Sequence, residues 1–172
     1  RRDRVDDRDR PLHRQLVPLV HELTAVHLAD ALWGHPAGFR VLAAPVAERA
    51  ALVTRDDLAT ILRVAASSCD VVVVSLPREL GDLTSAALEI ADHLLEVLSL
   101  DVLSFRAATR AIEVVTPRNL SAHVGYVVNR AARSEITTGD VERVFGVAPL
   151  AVVPVDRAVP RAQDRGRLVP SR

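Results

Sequence analysis

Four sets of polar residues in this chain follow directly on apolar runs, and each offers a ligand different chemistry. Ser75, with Pro77 and Arg78, follows Asp70-Val-Val-Val-Val, and Asp101 and Ser104 follow a leucine-rich run. Asn129 and Arg130 follow Gly-Tyr-Val-Val, and Pro154 and Asp156 end the run that begins at Leu150. Asn129 carries a hydrogen-bond donor and an acceptor on one planar carboxamide, but the same residue type also closes turns at strand ends. The Ser75 hydroxyl brings no negative charge to a metal. Asp82 has that charge and stands where it can approach a metal or start a helix, and Asp156 is equally suited to an N-cap.

Other reactive types lack the spacing that their chemistry needs. His13, His21, His27, His35, His93 and His123 do not pair with carboxylates at metal-ligand intervals, and His21 and His27 fall on different helix faces. Ser85, Ser99 and Ser104 have no GxSxG context for a nucleophile. Cys69 is the single cysteine, so neither an intrachain disulfide nor a cysteine cluster for zinc can form, and it reads as a small inert hydrophobe. All 22 basic residues are Arg, which excludes a GxxxxGK[ST] phosphate loop and a Schiff-base lysine within this chain. The 22 acidic residues cancel that charge, and aromatics are only 3%, so a dedicated nucleic-acid binder is not expected. Arg157, Arg161 and Arg165 recur every four residues along one helical stripe, with Asp156 and Asp164 among them, and offer DNA a local contact.

At 172 residues and 49% hydrophobic composition, one globular domain with a sizeable core is expected. No apolar run reaches the ~18 residues of a membrane span, which sets a soluble, cytoplasmic protein as the expectation. There is no Met, so the numbered chain is expected to have lost its start or to begin inside a longer protein. Residues 1–15 open with alternating Arg and Asp and read as a disordered charged arm or linker remnant.

The candidate residues need elements to hold them. The spacing of Leu16, Leu19, Leu23, Val26 and Ala29 predicts one helix, ended by Gly34, Pro36 and Gly38. Thr54 reads as the cap of a second helix carrying Leu58, Ile61, Leu62 and Ala65. Asp82 reads as the cap of a third, carrying Leu83, Ala86, Ala87, Ile90 and Leu94, and Ser104 as the cap of a fourth, with Phe105, Ala108, Ile112 and Val115. Strands are predicted at Phe39–Ala44, Asp70–Leu76, Leu95–Leu100, His123–Val128 and Leu150–Val155. The four consecutive valines suit a strand buried on both faces. A short helix over Val141, Val144 and Phe145 closed by Gly146, and another from Asp156 to Gly166, complete an alternating pattern. That pattern predicts an α/β fold, a mainly parallel sheet flanked by helices, with ligands beyond the carboxyl ends of the strands.

Several pieces, in order, resemble the MinD/ParA-type ATPases, which belong to the P-loop NTPases. They are HPAGFRVLAAP, CDVVVVSLPRELGDLTSAALEIADHLLEVLSLDVLSFRAATRAI, VVNRAARSE, GDVERVFGVAPLAVVPVD and AVPRAQDRGRLVP. The likeness runs from about Leu16 to Pro170 and is nearest to the CpaE/TadZ branch of pilus-assembly and septum-site-determining relatives. The resemblance implies that residues 16–172 are the C-terminal part of such a domain, without the N-terminal P-loop strand and its lysine-bearing loop. It implies that Asn129 contacts adenine, and that Pro154 and Asp156 belong to a second adenine-side loop. Ser75 departs from the family, which usually has a carboxylate there to organise Mg²⁺ and the attacking water.

The function that follows from the resemblance is a positioning or assembly factor for a pilus, secretion or septation apparatus. Its rivals are a nucleotide-independent degenerate scaffold and a DNA-binding partition protein using Arg157, Arg161 and Arg165. ATP and Mg²⁺ are implied for the intact family member, while this chain alone is expected to be inactive. Self-association, a pilus, secretion or division protein as partner, and recruitment to the membrane or pole by partners are implied too.

Overall fold

Two threonines set where the first helices begin. The computed structural model describes residues 17–44, 52–77, 81–115, 124–132 and 134–168. The charged arm, Arg78, His123 and Arg172 lie outside them. Thr24 Oγ1 accepts the His27 N–H at 3.3 Å and starts α1 (Ala25–Ala31). Because Thr24 has an extended backbone, the predicted first helix is split, and Val17–Glu22 is a separate 3-10 turn. Thr54 caps α2 (Arg55–Ser68) as expected: its hydroxyl takes the Asp57 N–H while Asp57 takes the Thr54 N–H.

Between α1 and α2, the predicted strand Phe39–Ala44 is reduced to half of a small hairpin. β1 (Trp33–Gly34) pairs antiparallel with β2 (Arg40–Val41). Gly38, at φ 90°, makes the turn, and His35 stacks on Phe39 with centroids 4.4 Å apart. The third helix, α3 (Asp82–Ile90), has Gly81 at its cap. Asp82 is its first residue, where its charge favours the helix dipole without a capping bond. The helix stops at Ile90, so Leu94 belongs to the following strand and not to its buried face.

The chain divides after Ala91 into two compact units. In the N-terminal one, Val20, Leu28 and Ile61 form the core, with Leu23, Leu32, Leu42 and Val64 packed against it. An Arg55–Glu89 ion pair joins α2 to α3. Asp70–Leu76 is not a strand here, contrary to its composition. A strand exists by pairing, and these residues have no ladder partner among the described residues; Val71 and Val73 are 78% and 88% exposed. Cys69 is half-buried rather than inert core, and accepts a hydrogen bond from Arg40 at 3.2 Å.

The C-terminal unit is the α/β part. β3 (Leu94–Leu98) leads through α4 (Val102–Val115) to β4 (Val124–Ala131). From there α5 (Thr138–Phe145) leads to β5 (Ala151–Pro154), and α6 (Ala158–Asp164) follows. The sheet order is β3-β4-β5, parallel throughout, with Leu98 opposite Val128 and Val128 opposite Val152. Three of the five predicted strands therefore form the parallel sheet. Two successive right-handed crossovers in one direction put both connecting helices on one sheet face. Accordingly Leu98, Tyr126 and Val128 share a core with Ala108 of α4 and Val141 of α5. Tyr126 stacks on Phe145 at 4.5 Å, and Phe145 lies 5.5 Å from Phe105. Gly146 closes α5 at φ 79°, as its sequence position predicts. No helix among the described residues is long and apolar enough to cross a membrane.

Burial separates two runs that look alike in sequence. Leu98→Ala should lower the unfolding free energy by about 3 kcal/mol, the cost of emptying a buried leucine site. Val73→Ala should change it by less than ~0.5 kcal/mol. Chemical denaturation of the two variants checks this, and a large loss from Val73→Ala would show that the segment is buried.

Candidate functional site

Parallel strands end on the same side, so the carboxyl ends of β3, β4 and β5 bring their following loops together. At β4 the ladder is irregular. Between the Val128–Val152 and Ala131–Pro154 pairs, β4 carries one residue more than β5, and the extra length falls on Asn129 and Arg130. Arg130 takes a left-handed backbone at φ 55°, a conformation that costs a side-chain-bearing residue roughly 1 kcal/mol or more. Asn129 Oδ1 accepts the Arg130 N–H at 2.9 Å and holds that turn. The turn-closing contact of Asn129 is therefore present, and Oδ1 keeps a second lone pair.

Pro154 stands opposite Ala131 at the end of β5, and the Val155 N–H donates to Ala131 O at 3.1 Å. Asp156 Oδ1 then accepts the Ala158 N–H at 2.7 Å, just ahead of α6. The cap suggested by its residue type is thus formed one residue before the helix cap, Arg157. Asn129, Pro154 and Asp156 accordingly share one end of one sheet. Ser75 and Asp82 belong to the N-terminal unit, and both are exposed.

The neighbouring loops are tied by serines. After β3, Ser99 N–H donates to Ser104 Oγ and Ser104 N–H to Asp101 Oδ1, both at 2.8 Å. Asp101, rather than Ser104, therefore caps the start of α4. After β4, Ser134 Oγ donates to Leu100 O at 3.0 Å, joining the two loops. Ser134 carries no distinguishing sequence signal, and only the fold reveals its partner. Thr137 and Asp140 close a capping box at α5 that the helical spacing alone did not disclose: Asp140 Oδ2 takes the Thr137 N–H at 2.7 Å and its hydroxyl at 2.8 Å.

Asn129 offers neutral hydrogen-bonding groups rather than charge. Its carboxamide at the strand end offers a donor and an acceptor, whereas Pro154 has no N–H and the Val155 N–H is bound to Ala131 O. The chain supplies no lysine for a triphosphate, and among the described residues no group of three His, Cys, Asp or Glu could hold a metal ion. Arg157, Arg161 and Arg165 are all exposed, at the N-cap, within and at the C-cap of α6.

No protein-family model and no curated protein matches the sequence. Among solved structures, the chain is similar to a ParA family ATPase from Chlorobium tepidum TLS, with a TM-score of 0.78 at 18% sequence identity. The likeness covers 87% of this chain and 62% of that one. At this identity it establishes the fold alone, an α/β arrangement like that of the ParA family ATPase, as the element pattern predicts.

The Asp140 carboxyl is held below the usual carboxylate range, first by the Thr137 N–H and then by its hydroxyl, with Arg143 adding at 2.7 Å. A depressed folded-state value means that its stabilisation is complete above the ordinary 3.8 and fades as pH falls through the folded value. Asp140→Ala should therefore lower the denaturation midpoint at neutral pH, and the gap to the parent should shrink in acid below 3.8. A gap that is constant with pH would show that the carboxylate does not hold the cap.

Proposed function

We propose that this chain is the C-terminal part of a MinD/ParA-type ATPase domain of the CpaE/TadZ-like branch. In the intact protein it acts as a positioning or assembly factor for a pilus, secretion or septation apparatus. The observation that carries the reading is the bulge that sets Asn129 beside the Pro154–Asp156 loop at the carboxyl end of a parallel sheet. Motif order and the ParA-like fold support it. In this reading Asn129, Pro154 and Asp156 form the adenine side, while ATP phosphates and Mg²⁺ are held by residues that this chain does not supply.

A nucleotide-independent scaffold is the second reading. Ser75 stands where the family's carboxylate is expected, and the Asn129 carbonyl is already engaged by Arg130. A DNA-binding partition role through Arg157, Arg161 and Arg165 ranks behind both, because Asp156 and Asp164 dilute that stripe.

Two outcomes follow. With ATP and Mg²⁺, phosphate release by this chain should equal a buffer blank. Turnover that tracks the purified protein and disappears in Asn129→Ala would overturn the assignment of the phosphate machinery elsewhere. The Val71–Leu76 run, without a ladder partner among the described residues, carries no lysine, proline or charge to blunt it, and such a run is a template for another chain. Sedimentation should therefore show concentration-dependent self-association, and a monodisperse monomer across the range would show that this exposed run does not pair with another chain.

A further inference from the structure

Helices α4 and α5 do not meet along their outer sides. Between them lies a groove of about 520 Å³ whose apolar lining includes Val102, Phe105, Ile136 and Val144. Val102 and Val144 are 58% and 54% exposed, so the walls are open to solvent. An apolar surface rimmed by charge is the kind of patch that proteins use for association.

The groove's polar atoms are poorly placed to orient a small ligand. Thr109 Oγ1 donates to Phe105 O at 3.0 Å, and Asp140 is bound by Thr137 and Arg143. Small-molecule sites depend on a few convergent polar groups that fix the ligand; here Thr109 and Asp140 are already committed, and the other polar groups are charged ends along an open rim. Charge supplies the other half of the argument. Arg106 and Arg110 stand one helical turn apart on the rim, both exposed, with no ion pair to either among the described residues. Like charges at this spacing repel, so the pair is relieved by acid from outside. The lining also holds two acidic residues: Asp140, already paired with Arg143, and Glu113, one turn further along, which opposes acid at that end. From Val102 to Glu113 the wall is about 16 Å long at the helical rise, room for about three turns of another helix.

We propose that this groove docks an amphipathic helix of a partner protein, with an apolar stripe seated between α4 and α5 and acidic residues facing Arg106 and Arg110. Helix-in-groove recognition reads apolar anchors at i, i+3, i+4 and i+7, and the arginine pair sets orientation by excluding basic helices. The proposal stands apart from nucleotide binding, so either can fail without the other.

The test uses the full chain and two synthetic helical peptides of about 15 residues, with the same leucine stripe flanked by Glu in one and Lys in the other. Fluorescence anisotropy should show the Glu peptide binding at least about tenfold more tightly. Arg106→Glu with Arg110→Glu should reverse that preference, and Val144→Asp should abolish binding of both while the melting temperature stays unchanged. Methyl NMR shifts on adding the Glu peptide should centre on Val102, Ile136 and Val144. Equal affinity for the two peptides, shifts centred elsewhere, or no binding of either would overturn the proposal. So would self-association that Val144→Asp abolishes, which would make a second copy the occupant. Salt-sensitive duplex DNA binding lost with the two Arg→Glu changes would likewise assign the rim to DNA.

Discussion

Everything placed at the candidate site depends on the parallel ladder that β4 makes with β3 on one side and β5 on the other. Parallel pairing forces each connection to return along the sheet, which brings helices in and sends all three carboxyl ends to one side. Asp101 and Ser104, Asn129, and Pro154 and Asp156 come from three separate stretches of sequence and share that side for this reason alone. Ser134 then joins the loops after β3 and β4 through Leu100 O, so the site is held by backbone topology first and side chains second.

The ladder also decides what is left uncovered. Because both crossovers lie on one face, Leu98, Tyr126 and Val128 are buried while Leu95, Val97 and Leu150 on the chain around them are exposed. Gly125 belongs to this arrangement. A Cβ there would overlap Leu150 Cδ1 and stand 3.4 Å from Leu95 Cδ2, so its absence lets the two leucines approach across the middle strand. β3 pairs with β4 on one side only, and Asp70–Leu76 has no ladder at all among the described residues. Unpaired backbone and open valines are the physical basis for expecting association, whatever the partner.

What the sequence disclosed was local, and what it hid was pairing. The Thr54 cap with Asp57, the Gly146 stop and the strand around Tyr126 are each written within a few residues, and each was legible. Four valines in a row state a β preference, but whether a neighbour exists to accept their hydrogen bonds is not a local property. The same limit explains Phe39–Ala44, where apolar composition suited a strand but Gly38 and the stacked His35–Phe39 pair fix a two-residue hairpin. Thr24 interrupts an unbroken apolar spacing because its side chain competes for a backbone N–H, as Asp101 does against Ser104. Site positions were readable because they follow apolar runs. The bulge that turns Asn129 onto Arg130 was not, since it arises from one extra residue in β4 relative to β5.

The caps of α4 and α5 have a second consequence, because they lie at the site's end of the sheet while the bodies of the helices form the groove. Asp101 fixes where α4 begins, and Thr137 with Asp140 fixes where α5 begins. With both starts set, Phe105 and Phe145 meet, and the side chains one turn along each helix are placed in register across the gap. Arg106 and Arg110 are consequently on the rim and Val144 on the wall. The groove shares a side chain with the core: Phe105 packs against the cluster that holds Ala108 and Val141 and also lines the groove, beside the exposed Val102 and Val144. The starts of α4 and α5 thus belong to the site's end of the sheet and also border the groove, through Val102 and Asp140.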